Sequence, residues 1–169
     1  TGRTPRQVID DATWGLFQEG WMEPWGADAD HLKTTADVDS FVATGYSFFT
    51  FDPGAHVNNA AHEASIAVLA ETWQALPWPE LYDSPEAQED RYLGHSFRAE
   101  STELTFDRVS LQRAAGKYGR ALAHVASLYR HLVQSIGSRP FELSNASTGR
   151  AARRSQNSRS QACIEAPAP

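Results

Sequence analysis

Two short bursts of ionisable residues lie close together in this 169-residue chain: Asp28, Asp30 and His31 in "DADH", and Asp52 and His56 in "FDPGAH". Two carboxylates and an imidazole within four positions are oxygen and nitrogen donors suited to a divalent cation or to general-base work. On extended backbone Asp28 and Asp30 share a face, and His31 joins them only where the strand gives way to a turn. The blander alternative is that Asp30 caps a turn and His31 is a surface side chain. Asp52 and His56 flank Pro53 and Gly54, whose turn fixes the chain direction and preorganises a carboxylate at a strand mouth. Asp52 as a simple turn initiator is the alternative there. Lys33, just beyond the first burst, is a point charge that can meet a carboxylate or phosphate, or else a solvated lysine.

The elements that must hold these groups are legible. Thr4 and Pro5 are placed to cap and open a helix on which Val8, Ala12, Leu16 and Phe17 keep helical spacing, and Gly20 suits its end. "MEPWGADADHL" predicts a short strand running into a loop. Thr34 or Thr35 caps the next helix, Val38, Phe41 and Val42 give it an apolar face, and Gly45 stops it. "YSFFTF" is an aromatic, buried-type strand closed by "DPG". Residues 25–51 therefore spell strand, helix, strand, a unit that favours parallel pairing. In parallel α/β folds chemistry gathers beyond the carboxyl ends of strands, where both bursts fall.

"NAAHEASIAVLAETWQALPW" predicts one helix ending before Pro77, and residues 77–100 an aperiodic loop or insertion. "ELTF" is strand-like. The strongest helical pattern runs from about Asp107 to Ile136, with Leu111, Ala115, Tyr118, Leu122, Val125, Tyr129, Leu132 and Ile136 as its expected buried stripe. "RPFEL" begins another strand. His124 and His131 lie seven apart on that long helix, roughly 10 Å, too far to share one metal ion, and read as surface or interface histidines.

Composition narrows the class. The chain carries 41% hydrophobic and 21% charged residues, globular proportions, and no run approaches the roughly 18–20 apolar residues of a membrane span. No secretory leader opens the chain, and the first residue is Thr1 rather than Met. A net charge of −6 speaks against a nucleic-acid footprint, and the single cysteine, Cys163, fits a reducing cytoplasm. Walker, GxGxxG, GxSxG, HExxH and paired CxxC motifs do not occur. The segment 144–169 differs from the rest. It holds Arg150, Arg153, Arg154 and Arg159 against Glu165 alone, has no large hydrophobe before residue 163, and predicts a disordered tail.

"GADADHLKTTADVDSFVATGYSFFTFDPGAHVNN", with "AAGKYGRALAHVASLYRHL" and "RPFEL" further on, resembles the tagaturonate (tagaturonate/fructuronate) epimerase family of bacterial hexuronate catabolism, over about Val8 to Leu143. The resemblance implies a (β/α), TIM-like barrel enzyme, an isomerase that interconverts D-tagaturonate and D-fructuronate with the help of a divalent metal ion. Residues 1–143 would then be an incomplete, truncated barrel fragment. Residues 144–169 would be foreign to the fold, as after a shifted reading frame. On this reading Asp30, Asp52 and His56 are catalytic, Lys33 and Asp28 meet the substrate, and His31, Asp52 and His56 are the metal donors. The partner is a small sugar acid, with no nucleic acid and no membrane. A barrel aldolase or isomerase for another sugar acid, and a non-catalytic remnant, are the competing readings.

Overall fold

The computed structural model describes residues 2–146. Helix α1 (Pro5–Gln18) is capped by Thr4, whose hydroxyl accepts from the Gln7 amide while the Gln7 side chain returns to the Thr4 amide. Strand β1 (Asp28–Leu32), helix α2 (Thr35–Thr44) and strand β2 (Phe48–Phe51) follow. Thr34 is the cap of α2, reciprocated by Asp37, and Gly45 ends it in the left-handed region at φ 91°. β1 and β2 pair in parallel. β5 (Glu142–Asn145) pairs in parallel on the other side of β2, giving the order β1-β2-β5.

This arrangement corrects the barrel expectation. Among the described residues the parallel strands form an open three-stranded sheet with β1 and β5 as edges. The remaining strands, β3 (Ser96–Ala99) and β4 (Thr102–Thr105), pair antiparallel in a separate two-stranded sheet. Closing a barrel requires successive parallel strands, tilted and staggered until the last meets the first. Here an antiparallel hairpin stands where a further parallel strand would have to come, and the described residues close no barrel. β5 also carries regular pairing through Asn145, with the Ala146 amide donating to the Phe51 carbonyl at 2.8 Å. The strand thus runs past Leu143, where the tail was expected to begin; most of that tail, residues 147–169, lies outside the described residues.

Between β2 and the long helix that begins at Arg108 the chain is more broken than its pattern suggests. The expected helix over "NAAHEASIAVLAETWQALPW" is a 3-10 turn at Asn59–His62, a break, and α3 (Ile66–Gln74) restarted by the Ser65 cap. The expected loop contains α4 (Pro85–Tyr92), capped by Ser84, and the β3–β4 hairpin. Helix α5 (Arg108–Ile136) then spans 29 residues.

Two cores result. Phe49 and Phe51, both fully buried, pack with Ala29, Leu32, Val38, Leu128, Leu132 and Ile136 between the sheet and helices α2 and α5. Trp73, Leu76, Trp78 and Leu111 form the second, under α3 and the start of α5. α5 serves both with different faces, so its buried residues do not follow a single stripe: Tyr118 and Leu122 are 41% and 55% exposed. Its approach to α3 runs through glycines; a Cβ at Gly119 would sit 2.8 Å from a Leu76 methyl. Outside, Asp39 of α2 accepts from His131 at 2.7 Å and from Ser135 at 3.1 Å, tying α2 to α5.

Candidate active site

The burial pattern of β1 explains how its ionisable residues reach the rim. Ala29 and Leu32 both turn into the core although they are three apart, whereas a regular strand buries alternate residues. A one-residue bulge resolves this: Ala29 pairs with Phe49 and Leu32 with Phe51, so three steps on β1 oppose two on β2. The extra residue is absorbed at His31, which takes φ 61°. This left-handed conformation is uncommon outside glycine, though histidine is among the residues that tolerate it. Both Asp30 and His31 are thereby left on the solvent side, as the sequence required for the histidine to join the carboxylates.

β2 delivers the other half. The Asp52 amide donates to the Leu32 carbonyl at 2.8 Å, which pins the end of β2 beside the bulge. The Asp52 carboxylate, only 15% exposed, lies 3.3 Å from His31 Nδ1 and 3.5 Å from Lys33 Nζ, and its other oxygen accepts from the Gly54 amide at 3.0 Å. Asp30 approaches His31 Nε2 at 3.5 Å from the opposite side. Asp30, His31, Lys33 and Asp52 are therefore one constellation with Asp52 at its centre.

Its electrostatics assign different states to the two members from β2. The Gly54 amide above all, then His31 and Lys33, hold the Asp52 carboxyl below the ordinary aspartate range against an opposing push from burial. His56 is shifted the other way in charge: burial first, then the neighbouring His124, lowers its pKa and favours the neutral imidazole. Both shifts have the same consequence for stability. For His56 the unfolded chain binds protons more readily below its unfolded value of about 6.5, so stability present above that pH is lost as pH falls through the lowered native value. For Asp52 the loss comes lower, starting near its unfolded value of about 3.9 and completing below the native pKa. Urea midpoints measured from pH 8 to pH 3 are expected to decline in these two stages, and Asp52→Asn to make the acid stage shallower, since Asp37, Asp39, Asp83 and Asp107 are also held below the ordinary range.

Other expected members are placed differently. Asp28 is at the amino end of β1, away from the rim, and accepts from the Thr50 hydroxyl at 3.1 Å. His56 closes the short 3-10 turn Gly54–His56 and stacks on His124 of α5, ring centroids 3.9 Å apart and 23° from parallel. His124 Nε2 in turn donates to the Lys33 carbonyl at 2.8 Å. His124 is thus a member that the sequence reading placed at the surface or an interface. The available signal was that Arg113, Lys117 and His124 fall on one narrow stripe of α5. Arg113 donates to the carbonyls of Ala61, His62 and Ala64, and the Lys117 carbonyl accepts from Asn58, so this stripe grips the loop after β2.

The donor set does not compose a metal centre by itself. Among the described residues no three His, Cys, Asp or Glu side chains converge in a way that would hold an ion. His31, Asp52 and His56 are instead spent pairwise, on Asp30, on Lys33 and on His124. A divalent ion here would need donors beyond these residues. Also among the described residues, no helix is long and apolar enough to cross a membrane.

An open parallel α/β unit with charged groups gathered past the carboxyl ends of adjacent strands defines a class of small-molecule enzymes that bind ligand at the sheet rim. The chain belongs to the tagaturonate epimerase family, whose model matches residues 1–153. It is 39% identical over 144 residues to the tagaturonate/fructuronate epimerase of Thermotoga maritima, covering 85% of this chain and 28% of that protein. The fructuronate-tagaturonate epimerase UxaE of Cohnella laeviribosi superposes with a TM-score of 0.73 at 30% identity, covering 86% of this chain and 29% of its own. The same enzyme with two glycerols bound gives 0.74. The chain spans less than a third of the length of these relatives.

Proposed function

We propose that this chain carries part of the site at which D-tagaturonate and D-fructuronate are interconverted in hexuronate catabolism. The observation that carries the reading is the junction of the two strand mouths at Asp52, in a chain of this family. The single cysteine is in keeping with the reducing cytoplasm where we place the reaction.

The two sugar acids are ketoses that differ at a carbinol carbon β to the ketone. Enolisation acidifies the α carbon and cannot invert that centre. Retro-aldol cleavage can: a base removes the β-hydroxyl proton, the carbon–carbon bond between α and β carbons breaks, and its electron pair becomes the enolate of the ketone. The aldehyde rotates, the enolate re-adds to its other face, and the proton returns to the new alkoxide. No oxidant is consumed. Neutral His56 is suited to take and return that proton, because an imidazole of lowered pKa is unprotonated at neutral pH. Asp52, held ionised, keeps His31 and Lys33 at the rim, where the Lys33 ammonium meets the substrate carboxylate. Asp30 steadies His31 from its other ring nitrogen, and Asp28 braces β1 against Thr50 rather than meeting substrate directly. No step is assigned to a metal ion.

The test is ¹³C NMR of D-fructuronate incubated with the full-length enzyme. Appearance of D-tagaturonate, together with three-carbon ketone and aldehyde-acid fragments on trapping, is expected. Epimerisation with no trappable fragments would favour removal and return of a hydride. No epimerisation by the folded enzyme would refute the proposal.

A further inference from the structure

We propose that His124 is a positioning residue that clamps the two halves of the rim to α5 by two separable contacts, one for each half. This rests on the epimerase reading above and assigns a role to a side chain outside both ionisable bursts. The β1 half is held by a hydrogen bond from His124 Nε2 to the Lys33 carbonyl at 2.8 Å. Because a carbonyl can only accept, that nitrogen carries the proton and the ring's tautomer is set. The β2 half is held by stacking of the His56 ring on the His124 ring, 3.9 Å between centroids and near parallel.

The surroundings show why a clamp is needed at this point. Lys33 follows the bulge directly and its side chain is 63% exposed, so no core packing fixes it. His56 ends a three-residue 3-10 turn that has no side-chain cap. α5, by contrast, is anchored in the core at Leu128, Leu132 and Ile136, and it grips the loop after β2 again through Arg113 and Lys117. A half-buried ring on the rigid helix thus sets the spacing between the proton-transfer group and the substrate-binding lysine, without itself meeting the substrate.

Two substitutions divide the clamp. His124→Gln keeps an N–H donor at the reach of Nε2 but removes the ring. His124→Phe keeps a ring and removes the donor. In the full-length enzyme, His124→Gln is expected to lower kcat by about tenfold with KM nearly unchanged. His124→Phe is expected to raise KM by about five- to tenfold with kcat nearly unchanged, the scale set by loss of one hydrogen bond. In the 169-residue chain, NMR reads the two contacts without turnover. The wild-type His56 ring protons should lie upfield of an unstacked histidine, a shift lost in His124→Gln and kept in His124→Phe. The Lys33 carbonyl carbon should move in His124→Phe and stay in His124→Gln. Unstacked His56 shifts in the wild type, equal kinetic losses from both variants, or unaltered kinetics would each overturn the clamp. A wild-type enzyme inert toward both sugar acids would instead remove the epimerase reading, leaving the NMR pattern to decide the clamp alone.

Discussion

Asp52→Asn in the full-length enzyme is expected to lower kcat/KM for epimerisation by about a thousandfold, the upper end of what losing one preorganised electrostatic group costs. The substitution preserves shape, and the amide oxygen can still accept from the Gly54 amide that the carboxylate holds at 3.0 Å. What disappears is the negative charge between His31 and Lys33, at 3.3 and 3.5 Å. Without it the lysine has no fixed partner, and two groups able to carry positive charge lose the anion that lay between them. Folding should suffer little at neutral pH. His31 and Lys33 are each about 60% exposed, and pairs of that kind are worth about 1 kcal/mol or less. Thermal melting by circular dichroism beside the epimerisation assay separates the two effects. Wild-type turnover by the Asn variant would remove Asp52 from the mechanism.

Phe49→Ala should do the reverse, destabilising the whole unit by about 3–5 kcal/mol. Phe49 is fully buried on the central strand, meets Phe141 edge-on at 6.3 Å between centroids, and packs in the cluster shared by β1, α2 and α5. That cost is comparable with the total stability of many domains, about 5–15 kcal/mol. Because Asp52 and the bulge are held by the ends of β1 and β2, the rim should be lost with the core rather than independently. Urea unfolding by tryptophan fluorescence measures the change; a midpoint equal to that of wild type would show that the sheet core is not where the stability resides.

The two strands and the helix between them were readable because local chemistry marks their ends. Thr34 with Asp37 caps α2, Gly45 adopts the left-handed stop, and Asp52-Pro53-Gly54 closes β2. Parallel pairing follows from the crossover helix, so placement of Asp30, His31 and Asp52 at one rim was legible in the sequence, whereas Asp28 lies at the other end of β1. Elsewhere the same local reasoning failed for identifiable causes. The run from Asn59 to Trp78 has helical composition, but Ser65 restarts the helix and the Arg113 guanidinium draws the carbonyls of Ala61, His62 and Ala64 away from helical partners. The stripe expected on α5 presumes one buried face, whereas this helix meets α3 at its start and the sheet at its end. The barrel expectation came from resemblance and is overturned by the antiparallel β3–β4 pair and the open edges of the parallel sheet.

What the sequence by itself determined is the inventory and its coarse address: Asp30, His31, Lys33, Asp52 and His56 at the mouths of two parallel strands. Periodicity, caps and breakers act over a few residues and are written in the neighbours of each position. Only the tertiary structure decided which of these groups meet. The bulge at His31 exists because Ala29 and Leu32 must both enter a core built by distant helices. Asp52 meets His31 and Lys33 only because the end of β1 lies beside it, and the stack on His56 needs a ring from α5, 68 positions further along the chain. Interactions of that range depend on how faces dock, which no local pattern encodes.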